Sequence, residues 1–373
     1  MSALTAHARD LESLGLAHRR RSLAPRAGRD FASNDYLGLA ESPRLRAAVA
    51  AALERGVPIG AGGSRLLRGN HAEHEALEAE AAAFFGSETA LFFSSGFAAN
   101  AALFAGLPQS GDLIVHDALI HASAHDGMRL SRAAAQRVAH NDAQAFEDAI
   151  AQWRATGATG RAWIAVESLY SMDGDCAPLA DLAAIADRHD AILLIDEAHA
   201  TGVFGADGRG LAAALDGRDT VVTMRTCGKA LGCEGALVCG PAVARDFLIN
   251  RGRPFIFSTA PSPLMASAVR EALRILADEP DRRARLATLI AQAGRVLAPL
   301  GATATDTQIL PLIVGDDDAT MRLAGGLQAA GFDVRGIRPP TVARGTSRLR
   351  ISITLNVDAA AIDALAAQLE ALQ

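Results

Sequence analysis

Ala191-Ile192-Leu193-Leu194-Ile195-Asp196-Glu197-Ala198-His199 is the stretch on which the fold turns. Five apolar residues rich in branched side chains read as a strand covered on both faces. The run stops on two acids and a histidine, so the strand's carboxyl end meets a polar space. Similar short apolar runs lie at residues 90–93, 113–115, 136–139, 163–166, 221–224 and 236–239. Between them fall Ala/Leu-rich stretches of helical period at 118–130, 143–153 and 179–189, the last preceded by Pro178. Strands alternating with helices predict an α/β fold, with a large domain built on a mostly parallel seven-stranded sheet flanked by helices.

After Pro254 the pattern changes. Two long helical stretches at 263–277 and 281–297 precede strands near 309–314, 332–334 and 349–354 and a closing helix. This predicts a smaller α+β domain at 251–373, joined by the N-terminal segment 1–50, with the large domain over 51–250. Half of the 373 residues are hydrophobic, enough to bury a substantial core.

The formal charge of −6, spread without long like-charge blocks, argues against nucleic acid or an anionic membrane as partner. Cys176, Cys227, Cys233 and Cys239 show no Cys-x-x-Cys spacing, against a zinc site or a disulfide framework. The first thirty residues carry no signal-peptide pattern and no run spans a bilayer, so the cytoplasm is expected.

Of the 36 basic side chains, 35 are Arg and one, Lys229, is Lys. A coding bias toward arginine explains the 35 and leaves the exception. A guanidinium stays protonated and cannot readily form an imine, whereas a lysine amine can. In open α/β sheets ligands bind beyond the carboxyl ends of the strands. Asp196 and His199, Lys229, His121, and Ser95-Gly96-Phe97 all fall just after apolar runs. Asp196 suits a protonated pyridinium nitrogen. The helix starting near Gly96 suits a phosphate, with Thr226 adding a hydroxyl. His121 suits stacking on a flat ring, and His199 with Ser171 suits donation to a phenolate oxygen. His71, His74, His125 and His140 read as packing residues, and no residues call for a metal.

With these in place the chain resembles the α-oxoamine synthases, a group of fold-type-I pyridoxal-phosphate enzymes, over nearly its whole length. The motifs are Ser33-Asn34-Asp35-Tyr36-Leu37-Gly38, Gly62-Gly63-Ser64-Arg65, Ser95-Gly96-Phe97-Ala98-Ala99-Asn100, Ser171-Met172-Asp173-Gly174-Asp175, Asp196-Glu197-Ala198-His199 and Gly228-Lys229-Ala230-Leu231-Gly232. The resemblance implies pyridoxal 5'-phosphate on Lys229 as a Schiff base, Asp196 on the pyridine nitrogen and His121 stacked on the ring. It also implies His199 and Ser171 on the cofactor oxygen, and Gly96, Phe97 and Thr226 around the phosphate. Arg350 with Asn34 would grip an amino-acid carboxylate, and Arg19 and Thr341 would meet the acyl substrate. Ser64 and Thr259 would reach the phosphate of a second subunit, since the family is homodimeric.

The run Ile337-Arg338-Pro339-Pro340-Thr341-Val342 and the segment 308–316 resemble the branch of that family that joins L-alanine to a pimeloyl thioester on acyl carrier protein or coenzyme A. Met224-Arg225 before Thr226 and Ala343-Arg344 before Gly345 depart from the family pattern. They are expected to bear on the phosphate site and the acyl entrance. Three rivals stand beside this reading. Asp196 to His199 also spell a helicase motif, but Lys229 lacks the Gly-x-x-x-x-Gly-Lys-Ser/Thr context of a P-loop. A non-catalytic relative would bind cofactor without turnover, and a glycine-using synthase would prefer the smaller amino acid.

Overall fold

The computed structural model describes residues 3–373. The seven apolar runs form one sheet of β1 (Thr89–Phe93), β2 (Leu113–Asp117), β3 (Ala134–Val138), β4 (Ala162–Glu167), β5 (Ile192–Asp196), β6 (Val221–Thr226) and β7 (Ala236–Gly240). Their order across the sheet is β1-β7-β6-β5-β4-β2-β3. β7 is antiparallel to both neighbours, and every other pair is parallel. Every residue of β1, β2, β4 and β7 is buried, which is why these strands read as unbroken apolar runs. β3 has one neighbour and an exposed face, and accordingly carries Gln136 and Arg137.

The two faces of the sheet have separate cores. Leu91, Phe93, Ile114, Trp163, Leu194, Val222 and Met224 pack under helices α1 (Gly96–Gly106) and α2 (Ala122–Leu130). Leu113, Val115, Ile164, Val166, Leu193, Ile195 and Val221 pack under α3 (Ala143–Ala155) and α4 (Leu179–His189). α2 starts at Ala122, later than the expected 118. Asp117 Oδ1 accepts the Leu119 N–H at 2.7 Å and turns the chain before the helix can begin.

The chain divides into two compact units, one of residues 37–171 and 175–283 that holds this sheet, the other of residues up to 36, 172–174 and 284–373. These boundaries differ from the expected 50/51 and 250/251. Helix α5 (Pro263–Asp278), expected in the small domain, lies in the sheet's unit. Its buried face, including Ala266, Val269, Leu273 and Leu276, rests on helices Pro43–Glu54 and Ala72–Phe85.

The other unit has a three-stranded antiparallel sheet of Arg335–Ile337, Ser347–Ser352 and Ile309–Gly315, with helices Asp317–Ala329 and Ala359–Leu372. The strand expected at 332–334 is two short pieces, because Phe332–Asp333 pairs instead with Arg29–Asp30 from the N-terminal segment. Ser352 N–H donates to Phe31 O at 2.9 Å and Leu355 N–H to Tyr36 O at 3.0 Å, laying residues 31–36 along the end of the 347–352 strand. Among the described residues no helix is long and apolar enough to cross a membrane.

Candidate active site

Strand exits bring the polar residues of the first unit together. β5 ends on Asp196, which is 7 % exposed. Its Oδ1 accepts the Ala198 N–H at 2.9 Å and its Oδ2 accepts Asn100 Nδ2 at 2.8 Å. His199, three residues on, is buried with Nε2 2.6 Å from Lys229 Nζ. Lys229 sits in the turn between β6 and β7. Cys227 N–H donates to Gly235 O, Cys233 N–H to Cys227 O and Gly232 N–H to Lys229 O, so the lysine rides on a closed backbone loop. Gly232 has φ +63° and packs against Leu39 and Ala40, where a Cβ would lie 2.4 Å from Ala40 N. Only glycine suits both demands.

α1 begins beside this loop, with Ser95 Oγ capping the Ala98 N–H at 3.1 Å. A Cβ placed on Gly96 would stand 3.4 Å from Met224 Cε and 3.7 Å from Thr226 Oγ1. The helix start and the Thr226 hydroxyl are therefore neighbours, as a phosphate cradle requires. Phe97 is half exposed. His121 is the N-cap of α2, and its Nδ1 lies 2.8 Å from Ser123 Oγ. Although His121 is exposed, desolvation by the protein beside it lowers its pKa, with the Asp196 charge opposing and the Lys229 charge adding to the shift, which favours the neutral ring.

The departure Met224-Arg225 divides between the two faces of the sheet. Met224 faces Gly96, while Arg225 points to the opposite face, fully buried. There its Nη2 donates to both Asp216 oxygens, at 2.7 and 2.9 Å, and its Nη1 lies 3.6 Å from Glu197 Oε2. Burial pushes both carboxyls up, and the Arg225 charge pulls them back.

Two further acids at strand exits escaped the sequence reading although the same rule finds them. Glu167 ends β4 in register with Asp196. Burial pushes its carboxyl well above the usual range, the Asp196 charge adding and the Lys229 charge opposing, and the Ser171 N–H bonds to it. Asp117 ends β2 and accepts from His140 Nδ1 at 2.8 Å, while His140 Nε2 lies 2.7 Å from Asp175. His140, read as packing, is thus a cation clamped by two carboxylates. Desolvation lowers its pKa, but the two acids outweigh it and lift the value to about 10.

The segments carrying Ser64 and Thr259 run side by side elsewhere in this unit, where Ala260 N–H donates to Gly63 O at 2.9 Å. In the other unit Arg350 donates to Asn34 Oδ1 at 3.0 Å and to Ser352 Oγ at 2.7 Å. Arg19 pairs with Asp317 at 2.7 Å, and Thr341 accepts from Arg21, a residue the sequence reading passed over.

The donor set of the first unit fits pyridoxal 5'-phosphate: a carboxylate held by neutral donors, an amine, a neutral imidazole and a capped helix start beside a hydroxyl. Comparison with known proteins agrees. The model of the aminotransferase class I and II family matches residues 28–369. The 8-amino-7-oxononanoate synthase of Anaeromyxobacter dehalogenans is 43 % identical, covering 97 % of this chain and 94 % of that protein. An 8-amino-7-oxononanoate synthase from Francisella tularensis superposes with a TM-score of 0.78 at 28 % identity, over 92 % of this chain and 97 % of that one. A serine palmitoyltransferase from S. paucimobilis with a bound PLP–myriocin aldimine superposes with a TM-score of 0.90 at 25 % identity, over 100 % and 98 %.

Proposed function

Because this chain belongs to the aminotransferase class I and II family, we propose that it is a pyridoxal-5'-phosphate-dependent acyltransferase that makes 8-amino-7-oxononanoate for biotin synthesis. It joins L-alanine to a pimeloyl thioester and releases carbon dioxide and the free carrier. The observation that carries this reading is the meeting of the chain's one lysine with His199 Nε2, 2.6 Å apart, at the sheet end where Asp196 also lies.

Bound there, the coenzyme supplies an electron sink for the amino-acid carbon. The chain supplies the rest. Asp196, held by Asn100 and the Ala198 N–H, would keep a ring nitrogen cationic. Lys229 would carry the coenzyme and, once freed, take the proton from alanine Cα and later return one. His199 fixes where the amine rests and, with Ser171, would donate to the coenzyme oxygen. His121 would cover the ring. Gly96, Phe97 and Thr226 would hold the phosphate, Ser64 and Thr259 that of a second copy. Arg350, oriented by Asn34 and Ser352, would take the alanine carboxylate with its planar fork. Arg19 and Thr341 would meet the acyl chain.

A homodimer is supported by exposed apolar side chains around Ser64 and Thr259, namely Ile59, Leu66, Leu67 and Phe257. Four free thiols fit a cytoplasmic site of action. The test is product and carbon dioxide formation from L-alanine with pimeloyl carried on acyl carrier protein or on coenzyme A. Glycine serving better than alanine would overturn the substrate, and no turnover with either would overturn the activity.

A further inference from the structure

Asn100 lies in the second turn of α1 with 2 % of its surface exposed, and the chemistry above needs from it only a bond to Asp196. Yet its Nδ2 donates in two directions, to Asp196 Oδ2 at 2.8 Å and to Ser123 Oγ at 2.9 Å. Ser123, 1 % exposed, has its Oγ 2.8 Å from His121 Nδ1. Elimination sets the direction of each bond. Asp196 accepts at both oxygens, with the amide turning its nitrogen to Oδ2, and the second hydrogen of that nitrogen goes to Ser123. A hydroxyl oxygen could accept twice, but the Ser123 backbone N–H already points at His121 Nδ1, at 3.2 Å, so the hydroxyl gives its own hydrogen to that nitrogen. Nδ1 therefore carries a lone pair, and a neutral His121 holds its proton on Nε2.

Because the amide donates at both ends, no proton can pass from Asp196 to His121 along this line. What the line transmits is position. Its length is fixed by the packing of the two helices: a Cβ on Gly127 of α2 would lie 2.8 Å from Phe104 Cβ and 3.0 Å from Asn100 O. The helices touch at Asn100 because Gly127 has no side chain.

We propose that Asn100 is a positioning residue that braces Asp196 against His121 through Ser123, fixing the spacing between the group that holds the edge of the coenzyme ring and the group that covers its face. The proposal rests on the coenzyme reading above.

The test measures the dissociation constant for pyridoxal 5'-phosphate in Asn100→Ala, Ser123→Ala, the double variant and Asn100→Asp. Thermal unfolding of each cofactor-free protein serves as the check on folding. Asn100→Ala should weaken binding about tenfold or more, as expected for losing a hydrogen bond to a charged group. The double variant should bind no worse than the weaker single one, since both changes cut one line. Asn100→Asp, nearly the same shape, should bind progressively worse relative to the parent as pH rises from about 5.5 to about 8, because two ionised carboxylates then face each other.

Binding by Asn100→Ala as tight as the parent's, penalties that multiply in the double variant, or a flat pH ratio for Asn100→Asp would each overturn the brace. If Asn100→Ala does not fold, the Asn100→Asp ratio decides. A parent protein that binds no coenzyme would overturn the coenzyme reading itself, and the brace with it.

Discussion

At its carboxyl edge the sheet treats its two faces differently. Asp196 and Glu197 are neighbours in sequence, as are Met224 and Arg225, and each pair is split across the sheet. On the α1/α2 face Asp196 is held by an amide and a backbone N–H. On the opposite face Arg225 Nη2 donates to both oxygens of Asp216, and the guanidinium stands near Glu197 and lies over the Phe85 ring at 4.2 Å. The second cluster closes its charges on themselves, and the first holds a carboxylate with neutral donors and so keeps its charge for a ligand. Removing the cation of a buried ion pair leaves its acids uncompensated, whereas a buried carboxylate met by neutral donors stays available to a cationic ligand.

The comparison breaks if changes on one face have the effects expected on the other. The largest effect belongs to Lys229→Arg. Turnover should fall by about 10⁴-fold or more, while the stability of the cofactor-free protein changes by less than about 1 kcal/mol. Arg225→Met should do the reverse. Leaving Asp216 and Glu197 buried without their cation costs about 3–5 kcal/mol in denaturant unfolding, with coenzyme affinity of the folded protein nearly unchanged.

His140→Ala sharpens the contrast at the β2 exit, costing about 2 kcal/mol near neutral pH. The groups around His140 are Asp117, Asp175, Asn141 and the Tyr170 ring. Its pKa is raised in the folded state, from an ordinary 6.5 to about 10. The stabilisation is therefore complete below about pH 6.5 and fades as pH rises through about 10. The gap in unfolding midpoint between parent and variant should narrow over that window. The smallest effect is at the exposed Arg188–Glu147 pair, where Arg188→Ala should leave the midpoint unmoved.

Much of this architecture was legible in the sequence, because strands buried on both faces must be continuous apolar runs. Lys229, Asp196, His121, His199 and Thr226 were legible for a related reason: each follows such a run or the turn after it. Glu167 and Asp117 obey the same rule, but a position after a strand gives an acid no role until its partners, Asp196 for one and His140 for the other, are placed beside it. The burial of Arg225 on the other face is not legible from the residue alone, because it depends on how β6 is registered against its neighbours. Once Met224 is paired with Asp196, Arg225 must face the other way. Ser123 could not be read at all. Its role depends on where α2 packs against α1, and that contact joins residues far apart in sequence. The position of α5 was hidden likewise, since an amphipathic helix shows that it has an apolar face but not which helices cover it.

The most direct measurement is borohydride reduction of the purified protein with pyridoxal 5'-phosphate, followed by peptide mapping. The account predicts a yellow protein that loses its colour on reduction and carries one coenzyme mass on the peptide containing Lys229. A colourless protein with that peptide unmodified would contradict it.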